Sequence, residues 1–157
     1  MDLFSKLNSE KKNKIILYGN EPVQANNFYT QIFNSRVRQN LNIQKVILDK
    51  KSQTKELINL TSSISLFEEK SFFIFIIKDI RLSDEIKSYI TDFFQSNHDD
   101  FILFHYDGES KEFLKSAFYK TLSTNALFFS ALEPKAYEFK KILTELMGSC
   151  NLNLSSE

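Results

Sequence analysis

A short apolar run, Ile15-Ile16-Leu17-Tyr18, breaks at Gly19 and passes through Asn20, Glu21 and Pro22 into Val23-Gln24-Ala25-Asn26. Apolar strand, glycine turn, then helix is the arrangement in which a backbone can cradle phosphate. To do so it needs a second glycine that lets the amides wrap the anion, a lysine for the outer phosphates and a Ser or Thr for magnesium. At those three places stand Gln24, Ala25 and Asn26, and Glu21 brings a negative charge that repels an anion. Gly19, Asn20, Glu21, Gln24, Ala25 and Asn26 therefore read as a degenerate nucleotide loop, a plain strand-to-helix turn with Pro22 opening the helix.

Two further places bear on chemistry. Ile77-Lys78-Asp79 ends another apolar run with one aspartate, but no glutamate follows and Lys78 intervenes, so a surface turn is expected there. His105-Tyr106-Asp107 lies at the carboxyl end of a run, where α/β sheets hold their ligands. One histidine beside an aspartate, with no Gly-x-Ser-x-Gly elbow and no cysteine nearby, does not make a nucleophilic centre. His98, in Asn97-His98-Asp99-Asp100, reads as a loop residue, and no histidine pair at i, i+4 or metal-spaced acidic cluster occurs. Neither a catalytic residue nor a metal nor a cofactor is predicted.

The most informative stretch is Ser62-Ser63-Ile64-Ser65-Leu66-Phe67, followed by Glu68-Glu69-Lys70. Two adjacent large apolar residues are ordinarily core. Here the frame is polar on both sides, and neighbouring side chains cannot both point inward from one narrow element. An exposed Leu-Phe pair would give a partner two anchors of about 2 kcal/mol each on burial.

The elements that position these residues follow from periodicity. Ile15–Tyr18, Val46–Leu48, Phe72–Ile77, Phe101–Phe104 and Ala126–Phe129 read as five strands. Phe72–Ile77 is apolar without alternation, as expected of a strand covered on both faces, and is placed at the centre of the sheet. Helical stripes lie between them: Ala25, Phe28, Tyr29, Ile32 and Phe33; Ile86, Tyr89, Ile90, Phe93 and Phe94; Phe113, Leu114, Ala117, Phe118 and Leu122. A further helix runs from about Thr54 to Ser62. Ser83 and Ser110 stand where N-caps belong. After Pro134, Ala136, Phe139, Leu143, Leu146 and Met147 mark a last helix ending near Gly148. Strands alternating with helices predict an α/β domain with a five-stranded, mainly parallel sheet.

At 157 residues and 42% hydrophobic, the chain suits one such core plus a short extension. Residues 1–132 are expected to form the domain. Residues 133–157 are expected to be a linker helix and the start of a truncated second domain. Twenty basic and twenty acidic residues cancel, so no overall positive field draws the chain onto DNA. One cysteine excludes an internal disulfide and a Cys-rich zinc site, in keeping with a cytoplasmic setting. No stretch approaches the roughly 20 apolar residues of a membrane span. The 16 phenylalanines carry little functional weight by number alone, because an AT-rich genome would also produce them.

Leu17-Tyr18-Gly19-Asn20-Glu21-Pro22 before a helix, then Ser65-Leu66-Phe67 a few residues before Phe72–Ile77, resembles the delta subunit of the bacterial DNA polymerase III clamp loader. The similarity runs from the first strand to the helix after Pro134, with only the first of that family's three domains complete. It implies a three-layer AAA+/P-loop-NTPase-like fold whose nucleotide site has been lost. It also implies a non-catalytic subunit that binds the beta sliding clamp and opens its ring during DNA replication. The clamp contact would fall on Leu66 and Phe67, flanked by Ile64 and Ser65; Ser62 stands where the family often has Gln. The other loader subunits would be partners through the domain missing here, and DNA only indirectly. A P-loop-type nucleotide-binding enzyme, another inactive AAA+ scaffold and an α/β module with an unrelated partner remain the alternatives.

Overall fold

The inner apolar runs become strands because their side chains, alternating in direction, find a hydrophobic layer on both sides of the sheet. The computed structural model describes residues 12–34, 42–62, 71–96 and 100–149. In chain order the elements are β1 (Lys14–Tyr18), α1 (Pro22–Asn34), β2 (Asn42–Leu48), α2 (Thr54–Ser62), β3 (Ser71–Ile77) and α3 (Asp84–Gln95). There follow β4 (Phe101–Tyr106), α4 (Ser110–Lys115), α5 (Ala117–Leu122), a 3-10 turn (Ser123–Asn125), β5 (Leu127–Ser130) and α6 (Ala136–Ser149).

The strands form one sheet in the order β2-β3-β4-β1-β5, and every pairing is parallel. The expected α/β class and five strands are present, with the sheet wholly parallel. The middle position belongs to β4 rather than to Phe72–Ile77. Strand β3 is interior and buried along its whole length, but β4 is seated between it and β1. A both-faces apolar pattern marks an interior strand without ranking the interior positions, and β3 and β4 share it.

One core layer joins Ile16, Phe73, Phe75, Ile77, Ile102, Phe104 and Tyr106 to Leu57 of α2, to Ile86, Ile90 and Phe94 of α3, and to Phe113 and Leu122 of α4 and α5. The other joins Ile15, Leu17, Phe72, Ile74, Ile76, Leu103 and Leu127 to Phe28 and Ile32 of α1. Phenylalanine does structural work here: Phe104 stacks on Phe113 at 5.8 Å and meets Phe118 edge-on at 5.5 Å, while Phe93 meets Phe73 and Phe75 edge-on at 5.0 and 5.6 Å. At the amino end of the sheet, Lys14 donates to the Ser96 carbonyl at 3.1 Å, a cation at the carboxyl terminus of α3 where the helix dipole welcomes it.

Local expectations fare unevenly. Ser83 caps α3, accepting from the Ile86 amide at 3.3 Å. Ser110 does not cap α4: Glu109 holds the N-cap position without a side-chain bond, and Ser110 is the first helical residue. The stripe from Phe113 to Leu122 is two helices rather than one. Ser116 takes an extended conformation between them and caps α5 through the Tyr119 amide at 3.0 Å. A break of one residue keeps the stripe nearly in phase, which is why periodicity alone runs through it. Pro22 is the first residue of α1, as expected.

Candidate functional site

Strand β1 leads by way of α1 to β2 at the far edge, past β3 and β4, whereas β4 leads by way of α4 and α5 across β1 to β5. The two neighbouring strands thus send their chains in opposite directions, and a crevice opens at their carboxyl ends. In a doubly wound sheet this is where a ligand sits. Gly19, at the end of β1, and Asp107, at the end of β4, stand on either side of it.

The loop at this place is short and tied down. Only Gly19, Asn20 and Glu21 lie between β1 and α1. The Gly19 amide donates to the Tyr106 carbonyl at 3.0 Å, the Glu21 amide to Ala131 at 2.9 Å, and the Ala131 amide to Tyr18 at 2.8 Å. Gly19 has φ 112°, a conformation that side chains resist, and a Cβ there would lie 2.2 Å from the Ala131 carbonyl oxygen. The loop has no slack with which to wrap a phosphate.

Glu21 also does more than repel an anion. Its carboxylate accepts from the Val23 amide at 3.2 Å and the Gln24 amide at 2.6 Å. Those are orphan donors at the amino end of α1, the groups that would otherwise meet a phosphate. The helix thus carries its own anion. Gln24, Ala25 and Asn26 lie in α1 itself, with Ala25 packed against the core layer beneath that helix and Asn26 exposed. Gln24 also faces a cleft of about 570 Å³ shared with Leu132, Glu133, Lys135, Tyr137, Glu138, Lys141, Ile142 and Glu145, where acidic and basic groups alternate.

Beneath the loop lies His105, 4% exposed. Its Nε2 is 3.2 Å from the Gly19 carbonyl oxygen, and its Nδ1 is 2.8 Å from the Tyr29 hydroxyl. Burial lowers the pKa of the imidazole, against upward pulls from the Gly19 bond and Asp107; Lys45 lowers it further. Burial, then the Asp107 charge, pushes the Tyr29 hydroxyl upward. Tyr29 is the member of this group that periodicity does not single out, since it reads as one more residue of the α1 stripe. Its signal was the hydroxyl, which needs a polar partner once buried. Asp79 lies apart from this group, in a turn with Arg81, whose guanidinium meets it at 2.8 Å and holds its carboxyl down at about 2. That is the surface turn expected of Lys78-Asp79.

Ile64, Ser65, Leu66 and Phe67 lie outside the described residues, as does His98. The flanking elements are described: α2 buries Leu57 and Thr61, leaves Ile58 and Leu60 exposed, and ends at Ser62; β3 resumes at Ser71. Among the described residues no group of three or more His, Cys, Asp or Glu could hold a metal ion. None of the described helices is long and apolar enough to cross a membrane.

No family model and no curated protein matches this chain. Among solved structures, the Bacillus subtilis DNA clamp loader delta protein is similar, with a TM-score of 0.65 and 16% identity over 94% of this chain and 47% of that one. A chain in the structure of Drosophila ORC bound to DNA is similar over 92% of this chain and 31% of its own length, with a TM-score of 0.50 and 8% identity. This chain spans about half the length of the clamp loader protein it matches. What it shares with that protein is the fold: an α/β domain on a five-stranded, all-parallel sheet.

Proposed function

We propose that the chain is a non-catalytic, delta-like clamp-loader subunit that binds the ring-shaped beta sliding clamp and favours its opening during DNA replication. The observation that carries this reading is the fold similarity to a clamp loader delta protein over 94% of the chain. A nucleotide crevice occupied by the protein's own groups supports it: Glu21 on the α1 amides and the Gly19 loop bound to β4 and Ala131. Such a domain acts by gripping a partner, with ATP chemistry left to other subunits.

The grip is assigned to Leu66 and Phe67, with Ile64 and Ser65 beside them. The exposed Ile58 and Leu60 on the helix leading into that segment keep apolar side chains on the outer surface there. A closed ring opens only if the bound partner prefers the open state, so the pair supplies affinity and further contacts of the same domain supply the bias. Residues 133–157 are read as a linker helix and the start of a second domain, and the exposed Phe139 and Leu143 on α6 give that domain a surface to pack on. The balanced charge leaves DNA an indirect partner, and a cytoplasmic setting follows from the replication role.

The test is binding of the cognate sliding clamp to immobilised chain. Changing Leu66→Ala together with Phe67→Ala should abolish binding while leaving the melting midpoint nearly unchanged. A double variant that unfolds places the pair in the core, where each truncation costs about 2–5 kcal/mol, and overturns the assignment. Saturable binding of a fluorescent ATP analogue with magnesium would overturn the pseudo-site.

A further inference from the structure

His105 reaches toward α1 from the middle strand of the sheet and has a partner at each ring nitrogen. The Gly19 carbonyl can only accept, so the hydrogen between them belongs to Nε2. In the neutral ring Nδ1 then bears none and accepts from the Tyr29 hydroxyl. The partners dictate the tautomer. They also join three elements: β4 through the ring, the loop through Gly19, and α1 through Tyr29, whose ring stacks on Phe33 at 6.1 Å. The same loop is clasped to the end of β5 by the bond from the Glu21 amide to Ala131.

We propose that neutral His105 is a latch that holds the Gly19–Glu21 loop and helix α1 together over β4, and that a proton placed on Nδ1 loosens it at its α1 side, where Tyr29 donates. The added hydrogen would point at the Tyr29 oxygen. The phenol would have to turn from donor to acceptor, and its own hydrogen would lose the acceptor it now has. Among the described residues, the charged and titratable groups facing the ring are Tyr29 on α1, Asp107 just past β4 and Lys45 on β2. Burial is the largest influence and holds the pKa below its usual 6.5, while the Gly19 bond and Asp107 favour the imidazolium and Lys45 opposes it. With the folded value below the unfolded one, the latch contributes fully above about pH 6.5 and loses its contribution as pH falls through the lower, folded value. His105 is in this role a positioning residue, and the role is independent of the clamp reading.

Nitrogen-15 NMR of the whole chain tests it. At neutral pH the His105 ring should show the Nε2–H tautomer, with His98→Gln used to assign the two histidines. On acidification the amide signals of Gly19, Glu21 and Ala131 should move in step with the His105 titration while that of Ile90 in α3 stays. His105→Gln, which can donate to Gly19 and accept from Tyr29, should leave the loop signals in place and remove their pH response. An Nδ1–H tautomer, loop amides that ignore the titration, or an unchanged pH response in the glutamine variant would each overturn the latch. The tautomer is read on the unaltered protein, so the proposal stays refutable even if the variant fails to fold.

Discussion

The two faces of the sheet are built differently. Helices α2 to α5 cover one face with a layer dominated by hydrophobic side chains, Phe75, Phe94, Phe104 and Phe113 among its largest, with Lys14 and Thr61 buried against α3. Helix α1 packs on the other, which buries His105 among its apolar residues and leaves Ile43 and Ile47 of β2 exposed at its far edge. The first face is held mainly by shape and hydrophobic area, which tolerate many sequences of the right pattern. The second is held partly by two directional bonds to one ring, which tolerate few. The face that buries His105 is the one that abuts the Gly19–Glu21 loop.

This contrast can be broken at its strongest point by Phe75→Ala. Phe75 is 1% exposed and packs against Phe73 and Phe93, so the truncation should cost about 3–5 kcal/mol in urea unfolding. A loss below about 1 kcal/mol would mean that this face is loosely packed. On the other face, His105→Leu keeps the volume close but strands the Gly19 carbonyl and the Tyr29 hydroxyl, each left unpaired at about 1–3 kcal/mol. If leucine proves neutral, the bonds are incidental and the two faces are alike. The smallest effect belongs to Ile47→Thr at the exposed edge of the α1 face. With Ile47 56% exposed, thermal unfolding should register a change within about 0.5 kcal/mol. A loss above about 1 kcal/mol would show that this edge is sealed like the opposite layer.

Much of the architecture was legible in residue order. The runs at Ile15–Tyr18 and Phe72–Ile77 and the helix at Thr54–Ser62 match observed elements closely, because burial on both faces and helical periodicity leave local marks. Strand β2 was legible only at Val46–Leu48. Its first four residues, Asn42-Ile43-Gln44-Lys45, carry mixed polarity on a strand at the edge of the sheet, so their extended pairing with β3 leaves little pattern. Ser110 and Ser116 show the same limit for caps, since either serine could terminate a helix and only the backbone path selects one.

At the Gly19–Glu21 loop, residue types alone establish that the second glycine, the lysine and the hydroxyl of a phosphate-binding loop are missing, because those groups act through their own chemistry. That Glu21 occupies the amino end of α1 depends on backbone direction there, over a span short enough that sequence nearly reaches it. The bonds of His105 depend on more. Gly19 lies 86 positions away and Tyr29 lies 76. They meet the ring because the crossovers seat β4 directly beside β1 and lay α1 over both. Periodicity records which residues are buried, and only the order of strands decides what each buried polar group is buried against.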